Sequence, residues 1–136
     1  MQAHGKFTLT ALLFATATAW AQTPAPQWQA MGAASYICGG VSDEGMAAIT
    51  AHRSSANSEL LFTSGPEGAY VAQVAVTVHG GGLKQPLAFT SNGPLCLLKL
   101  PAGSYTVEAE YKGRTLKQAI KTDGMLKQTK LNWPAG

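Results

Sequence analysis

The chain has 136 residues, 46% of them hydrophobic and 12% charged, with a formal charge of +3. That length holds one domain besides a leader, and a charge that small selects no partner by itself. Residues 1–21 read as a secretory signal. Lys6 supplies the positive start, Leu9 to Trp20 the apolar run, and Ala19-Trp20-Ala21 an A-x-A cleavage site before Gln22. The apolar run is about a dozen residues, short of the roughly 20 of a spanning helix, so no membrane span is expected after the signal is removed. Loss of Lys6 lowers the formal charge from +3 to +2. A periplasmic or secreted location follows, and in that setting the two cysteines, Cys38 and Cys96, imply one disulfide.

Residues 22–34 are rich in Pro, Gln and Ala without periodicity, and are expected to form a flexible mature extension. Its Trp28 either tucks onto the domain or serves as a handle for a partner. The domain is expected over residues 35–136, starting at Ser35-Tyr36-Ile37-Cys38-Gly39-Gly40-Val41. Ser42-Asp43-Glu44 is a helix start: the Ser42 hydroxyl can accept from first-turn N–H groups, and two acids sit at the positive end of the dipole. Met46, Ile49 and Arg53 share one side of the short helix, which Gly45 weakens and Ser54 to Asn57 end.

From Ser58 the hydrophobic period changes to two. Strands are expected at Glu59–Thr63, Val71–His79, Pro86–Thr90, from Leu95, from Ser104 to Tyr111, at Thr115–Lys121 and at Lys127–Trp133. Pro86 places its strand at an edge, because proline cannot donate to a ladder. Gly80-Gly81-Gly82 is a loop between antiparallel strands; it lacks the pattern of a phosphate cradle. Pro101-Ala102-Gly103 suits a type I turn, so Leu95 to Tyr111 reads as strand, turn, strand. Tyr111-Lys112-Gly113-Arg114 is a hairpin connection with positive φ at Gly113. Gln118, between inward Leu116 and Ile120, breaks the apolar alternation without explanation. Seven short strands at this spacing mark an all-β antiparallel sandwich with one short N-terminal helix.

Leu100-Pro101-Ala102-Gly103-Ser104-Tyr105-Thr106-Val107 resembles the hairpin motif of carboxypeptidase regulatory-like domains, part of the wider transthyretin-like (prealbumin-like) set of seven-stranded sandwiches. The likeness runs from about Leu60 to Thr122, and Gln73 to Val78 resembles an earlier strand of such domains. The start at Tyr36 to Val41, with its acidic helix, resembles small secreted bacterial proteins of that type. The resemblance implies the fold and no catalytic residue. The chain ends Asn132-Trp133-Pro134-Ala135-Gly136, unlike the Tyr-Arg-Gly-Ser end of the hydroxyisourate hydrolases. Glu59–Thr63 lacks the lysine that an internal isopeptide bond to Asn132 would need. No peptidase zinc motif is present.

The remaining residues with chemical potential match no catalytic pattern. His52 and His79 could be imagined beside Cys38, Asp43 or Asp123 as a zinc site or triad, but their spacing fits no ligand set and no G-x-S-x-G elbow exists. Glu108 and Glu110 share an exposed face, where Arg114 and Lys117 can pair with them across strands. Lys112, Arg114, Lys117, Lys121, Lys127 and Lys130 crowd the final quarter, as the solvated face of two edge strands kept from aggregating by lysine. Aromatic interleaving of the kind that binds nucleic acid is missing, so no nucleic-acid partner is expected. The reading is an exported non-catalytic binding or accessory module of the bacterial envelope, without cofactor or metal and with a protein partner. A periplasmic or secreted inhibitor is the alternative, and would titrate its target enzyme stoichiometrically.

Overall fold

A computed structural model of the chain describes residues 25–135, so the expected signal over residues 1–21 and the start of the extension lie outside the described residues. In chain order the elements are β1 (Gln29–Met31), β2 (Ala34–Gly39), α1 (Asp43–Thr50), a 3-10 turn (Arg53–Ser55), β3 (Ser58–Ser64), β4 (Ala69–Tyr70), β5 (Ala75–Gly80), β6 (Leu87–Thr90), β7 (Leu95–Lys99), β8 (Gly103–Tyr111), β9 (Arg114–Thr122) and β10 (Lys127–Trp133). The first sheet has the order β1-β2-β7-β3-β10, with β4 beside the end of β3. The second has the order β6-β5-β8-β9.

The sheets face each other across a shared core. Leu60, Phe62, Cys96, Leu98, Leu131 and Trp133 enter it from the first sheet, and Val76, Val78, Leu87, Tyr105, Val107 and Ala109 from the second. Tyr36 and Phe89 stack between the layers with centroids 4.1 Å apart. A second, smaller core lies on the other face of the first sheet, where Ile37, Leu95 and Leu97 are covered by Ile49 and Met46 of α1. That double coverage explains why Leu95-Cys96-Leu97-Leu98 is apolar without alternation: both faces of β7 are buried. Helix α1 starts as its residues dictate, with the Ser42 hydroxyl accepting from the Gly45 N–H at 3.0 Å. Gly45 itself is explained by space, since a Cβ there would lie 3.3 Å from that hydroxyl and 3.6 Å from the Gly40 nitrogen.

Four expectations change. Ten strands are present among the described residues, not seven: β3 and β5 to β10 overlap the expected segments, while β1, β2 and β4 are additions. Loose chain was expected as far as Ala34, yet β1 pairs with β2 in the register Gln29↔Tyr36 to Met31↔Ala34. Trp28, just before it, packs on the smaller core with the Lys99 ammonium 4.1 Å from its ring. The sandwich is not wholly antiparallel, because β10 returns from the opposite sheet to run parallel with β3. Finally, β5 starts at Ala75 rather than Val71. Gln73 has φ 60°, which breaks the strand, and the buried Ser91 side chain accepts from the Val74 N–H at 3.0 Å to hold the bend.

The Leu95–Tyr111 stretch also differs from its expected form. β7 pairs with β2 and β3, whereas β8 pairs with β5 and β9, so Leu100-Pro101-Ala102 carries the chain from one sheet to the other and is not a hairpin turn. The crossing is held by Tyr105, whose hydroxyl donates to the Pro101 carbonyl at 2.5 Å. Thr122 donates to the same oxygen at 3.0 Å. Asn57 braces the other side, donating to the Leu100 carbonyl at 2.7 Å and accepting from the Leu100 N–H at 3.1 Å.

Candidate functional site

The β8–β9 hairpin determines what β9 offers. Its two turn residues, Lys112 and Gly113, have φ 49° and 77°, the paired positive values of a type I′ turn, which set the register Tyr111↔Arg114 through Gly103↔Thr122. A two-residue turn of this kind makes Tyr111 and Arg114 a hydrogen-bonded pair, and the alternation of an antiparallel ladder then follows. Arg114, Leu116, Gln118, Ile120 and Thr122 direct their backbone groups to β8. Thr115, Lys117, Ala119 and Lys121 direct theirs to the free edge, since β9 ends its sheet. Among the described residues no backbone group pairs with that edge. Its one partner is a side chain: the Gln118 amide donates to the Ala119 carbonyl at 3.3 Å. That bond accounts for the polar residue between Leu116 and Ile120. At the rim of the core position 118 is exposed, while Leu116 and Ile120 are half-buried against the core.

Charge gathers along this side. β10, the edge of the first sheet, lies by β9, where the Trp133 indole donates to the Arg114 carbonyl at 2.9 Å. Lys112, Arg114, Lys117, Lys121, Lys127 and Lys130 are all exposed along the two edges and the hairpin. Two have nearby acids: Lys117 lies 3.5 Å from Glu108, its register partner, and Lys127 lies 3.0 Å from Asp123. The Lys127 hydrogen bond, with help from the Met125 N–H, holds the Asp123 carboxyl below the usual aspartate range. Lys112 leans over the Tyr111 ring at 5.3 Å. Arg114 does not reach Glu110, which faces Thr115 in the register.

The other residues singled out in the sequence are scattered. Cys38 and Cys96 are opposite each other on β2 and β7 and form the expected disulfide, with Cα atoms 4.1 Å apart. His52 meets the Trp28 ring edge-on at 6.3 Å, whereas His79 lies on the second sheet with Nε2 3.6 Å from Glu108. Among the described residues no three His, Cys, Asp or Glu side chains gather as a metal site would need. No helix there is long and apolar enough to cross a membrane. Gly80–Gly82 folds over Tyr105, with the Gly82 N–H 3.4 Å from its hydroxyl, so the glycines are there for close packing. Trp28 and the basic edges do not make one surface, because β1 and β10 are opposite ends of the first sheet.

Among the described residues, the larger open clefts away from the basic side are lined by little charge. One of about 360 Å³ is bounded by Pro26, Gln29, Tyr36, Cys38 and Asn92, and one of about 420 Å³ by Met31, Ala33, Leu83 and Lys84. Lys84 is the one charged side chain lining either.

Sequence reasoning missed one charged group altogether. Glu59 is 3% exposed on β3, and its carboxylate accepts from Arg53 Nε at 2.5 Å and from the Gln128 amide at 2.5 Å. It ties the 3-10 turn, β3 and β10 together, a structural clamp with both oxygens engaged. Alternation along Leu60 and Phe62 does put Glu59 on the face away from the main core, but only the turn packed over that face buries it. No family model matches the chain, and no curated protein matches it in sequence.

Proposed function

We propose that the chain is an exported, non-catalytic binding module of the bacterial envelope, on a sandwich of the transthyretin-like type, and that it meets a protein partner through the β9 edge. The observation that carries this reading is the nine-residue edge strand, with four residues whose ladder groups face outward and no backbone partner among the described residues. Extended segments add to such edges through main-chain hydrogen bonds, with side-chain contacts supplying selectivity. The disulfide supports an oxidising compartment. Two facing sheets, with β3 and β5 to β10 overlapping the segments expected from the sequence, support the sandwich reading.

Site-specific photo-crosslinking in the envelope of a bacterium expressing the full precursor tests the reading. A photoreactive residue at Ala119 on β9 is expected to trap a protein, and one at Ala88 on the β6 edge is not. If surface positions on both edges and the loops trap nothing, or the purified protein turns over a substrate, the reading falls.

A further inference from the structure

We infer that the β9 edge selects an extended peptide that alternates acidic and apolar residues, added antiparallel to β9 as a fifth strand of the second sheet. The inference rests on the binding-module reading above and names the partner's chemistry. Three features of the edge specify it. The outward-facing ladder groups of Thr115, Lys117, Ala119 and Lys121 supply the main-chain bonds. On one face of an added strand, Lys117 and Lys121 stand four residues apart. These cations meet acidic side chains at the same spacing. On its other face, half-buried Leu116 and Ile120 are the unfinished rim of the core. Apolar side chains of the incoming strand would complete that rim.

The same charges argue against a second copy of the chain as the occupant. Antiparallel self-pairing centred on Ala119 sets Lys117 opposite Lys121 at both ends, and like charges directly opposite are destabilising. Lysines that keep this edge from its own copies thus leave it open to a strand of opposite charge. Glu108 offsets part of the field by its pairing with Lys117, and Glu110 shares that face opposite Thr115, but Lys121 has no acid within ion-pair distance among the described residues. In β-register, acids opposite Lys121 and Lys117 place the next residue of the peptide opposite Ile120 and Leu116, so a Glu-Val-Thr-Thr-Glu-Val segment fits both faces. Binding displaces the Gln118 amide from the Ala119 carbonyl, which then accepts from the peptide.

The test titrates oxidised full-length secreted protein with that synthetic hexapeptide, blocked at both ends, and with a version carrying Lys in place of Glu. Amide chemical shifts and calorimetry provide the readouts. The acidic peptide is expected to shift β9 amides and to bind at least about tenfold tighter than the lysine version, with the preference largely lost in 1 M salt. Ala119→Pro removes an N–H that β8 does not use, so the ladder survives and peptide binding is lost. Should that variant fail to fold, methylating the peptide nitrogens that face β9 removes the same bonds and gives the same expected loss. Lys117→Glu with Lys121→Glu is expected to reverse the preference. Equal binding of the two peptides, shifts confined to another surface, a β9-linked dimer in sedimentation, or no binding would each overturn the inference. A crosslink at Ala119 with no acidic-peptide binding would sink the partner chemistry and leave the binding module standing, whereas an absence of crosslinks at every surface would sink the module itself.

Discussion

Removing the disulfide offers the sharpest test of how this small domain is held together. Cys38 and Cys96 are 58 residues apart in the chain and opposite each other on neighbouring strands. The ladder between β2 and β7 already sets their backbones side by side, from Ser35↔Lys99 to Gly39↔Leu95, so the folded state needs little rearrangement when the bond is absent. The cost falls on the unfolded chain, which gains the entropy of an open loop. For a closed loop of that length the chain-entropy relation gives about 4 kcal/mol. A domain of this size loses roughly 4–8 °C per kcal/mol, so the double variant Cys38→Ala, Cys96→Ala is expected to melt about 15–30 °C lower than the oxidised protein. Alanine avoids burying a hydroxyl beside the core at Cys96, which is 0% exposed. Urea denaturation should also show a steeper slope for the variant, whose unfolded chain exposes more surface. Calorimetry and urea titration, with reduced wild type as a second comparison, check both effects. A midpoint unchanged within about 2 °C, for the variant and for reduced wild type alike, would refute the argument that loop closure stabilises this fold.

Four further outcomes follow from particular contacts. Gly81→Ala puts a methyl 2.6 Å from Tyr105 Cε1 at a residue with φ 50°, so it should destabilise by about 2–3 kcal/mol in urea titrations. Tyr105→Phe should cost only about 1 kcal/mol in the same assay, because Thr122 still donates to the Pro101 carbonyl. Arg53→Ala leaves the buried Glu59 carboxylate with the Gln128 amide alone and should cost about 2–3 kcal/mol, whereas Glu59→Ala should cost less because it removes the buried charge and leaves Arg53 and Gln128 open to water. Asp123 is a carboxyl whose folded pKa is depressed, so its contribution is present above the unfolded pKa and lost as pH falls through the folded one. Lys127→Ala should raise its titration, followed by carboxyl NMR, toward the ordinary aspartate range, with the Met125 N–H still holding it down in part.

Local chemistry was legible wherever neighbouring residues decide the outcome. The capped helix at Ser42, the edge position of the strand after Pro86, the positive-φ turn at Gly113 and the pairing of Glu108 with Lys117 all depend on contacts within a few residues or on one adjacent strand. The covalent pairing of Cys38 with Cys96 was legible for another reason, since two cysteines in an oxidising setting have a single way to pair. Tertiary structure alone decided which sheet each strand joined. Pro101-Ala102-Gly103 can turn the chain within a sheet or carry it between sheets, and the choice rests on where Tyr105 finds an acceptor and a core. It alone paired β10 parallel to β3, because the direction of a returning strand depends on the crossing before it. It alone recruited Gln29–Met31 into the first sheet, where three residues without apolar periodicity gain backbone partners on β2. The lysines from Lys112 to Lys130 did mark the last two strands as edges, and β9 and β10 end their sheets, but the open side of β9 took the tertiary structure to define. Alternation marks the two faces of β9, but whether its fourth side meets a neighbour depends on the strand order of the whole sheet.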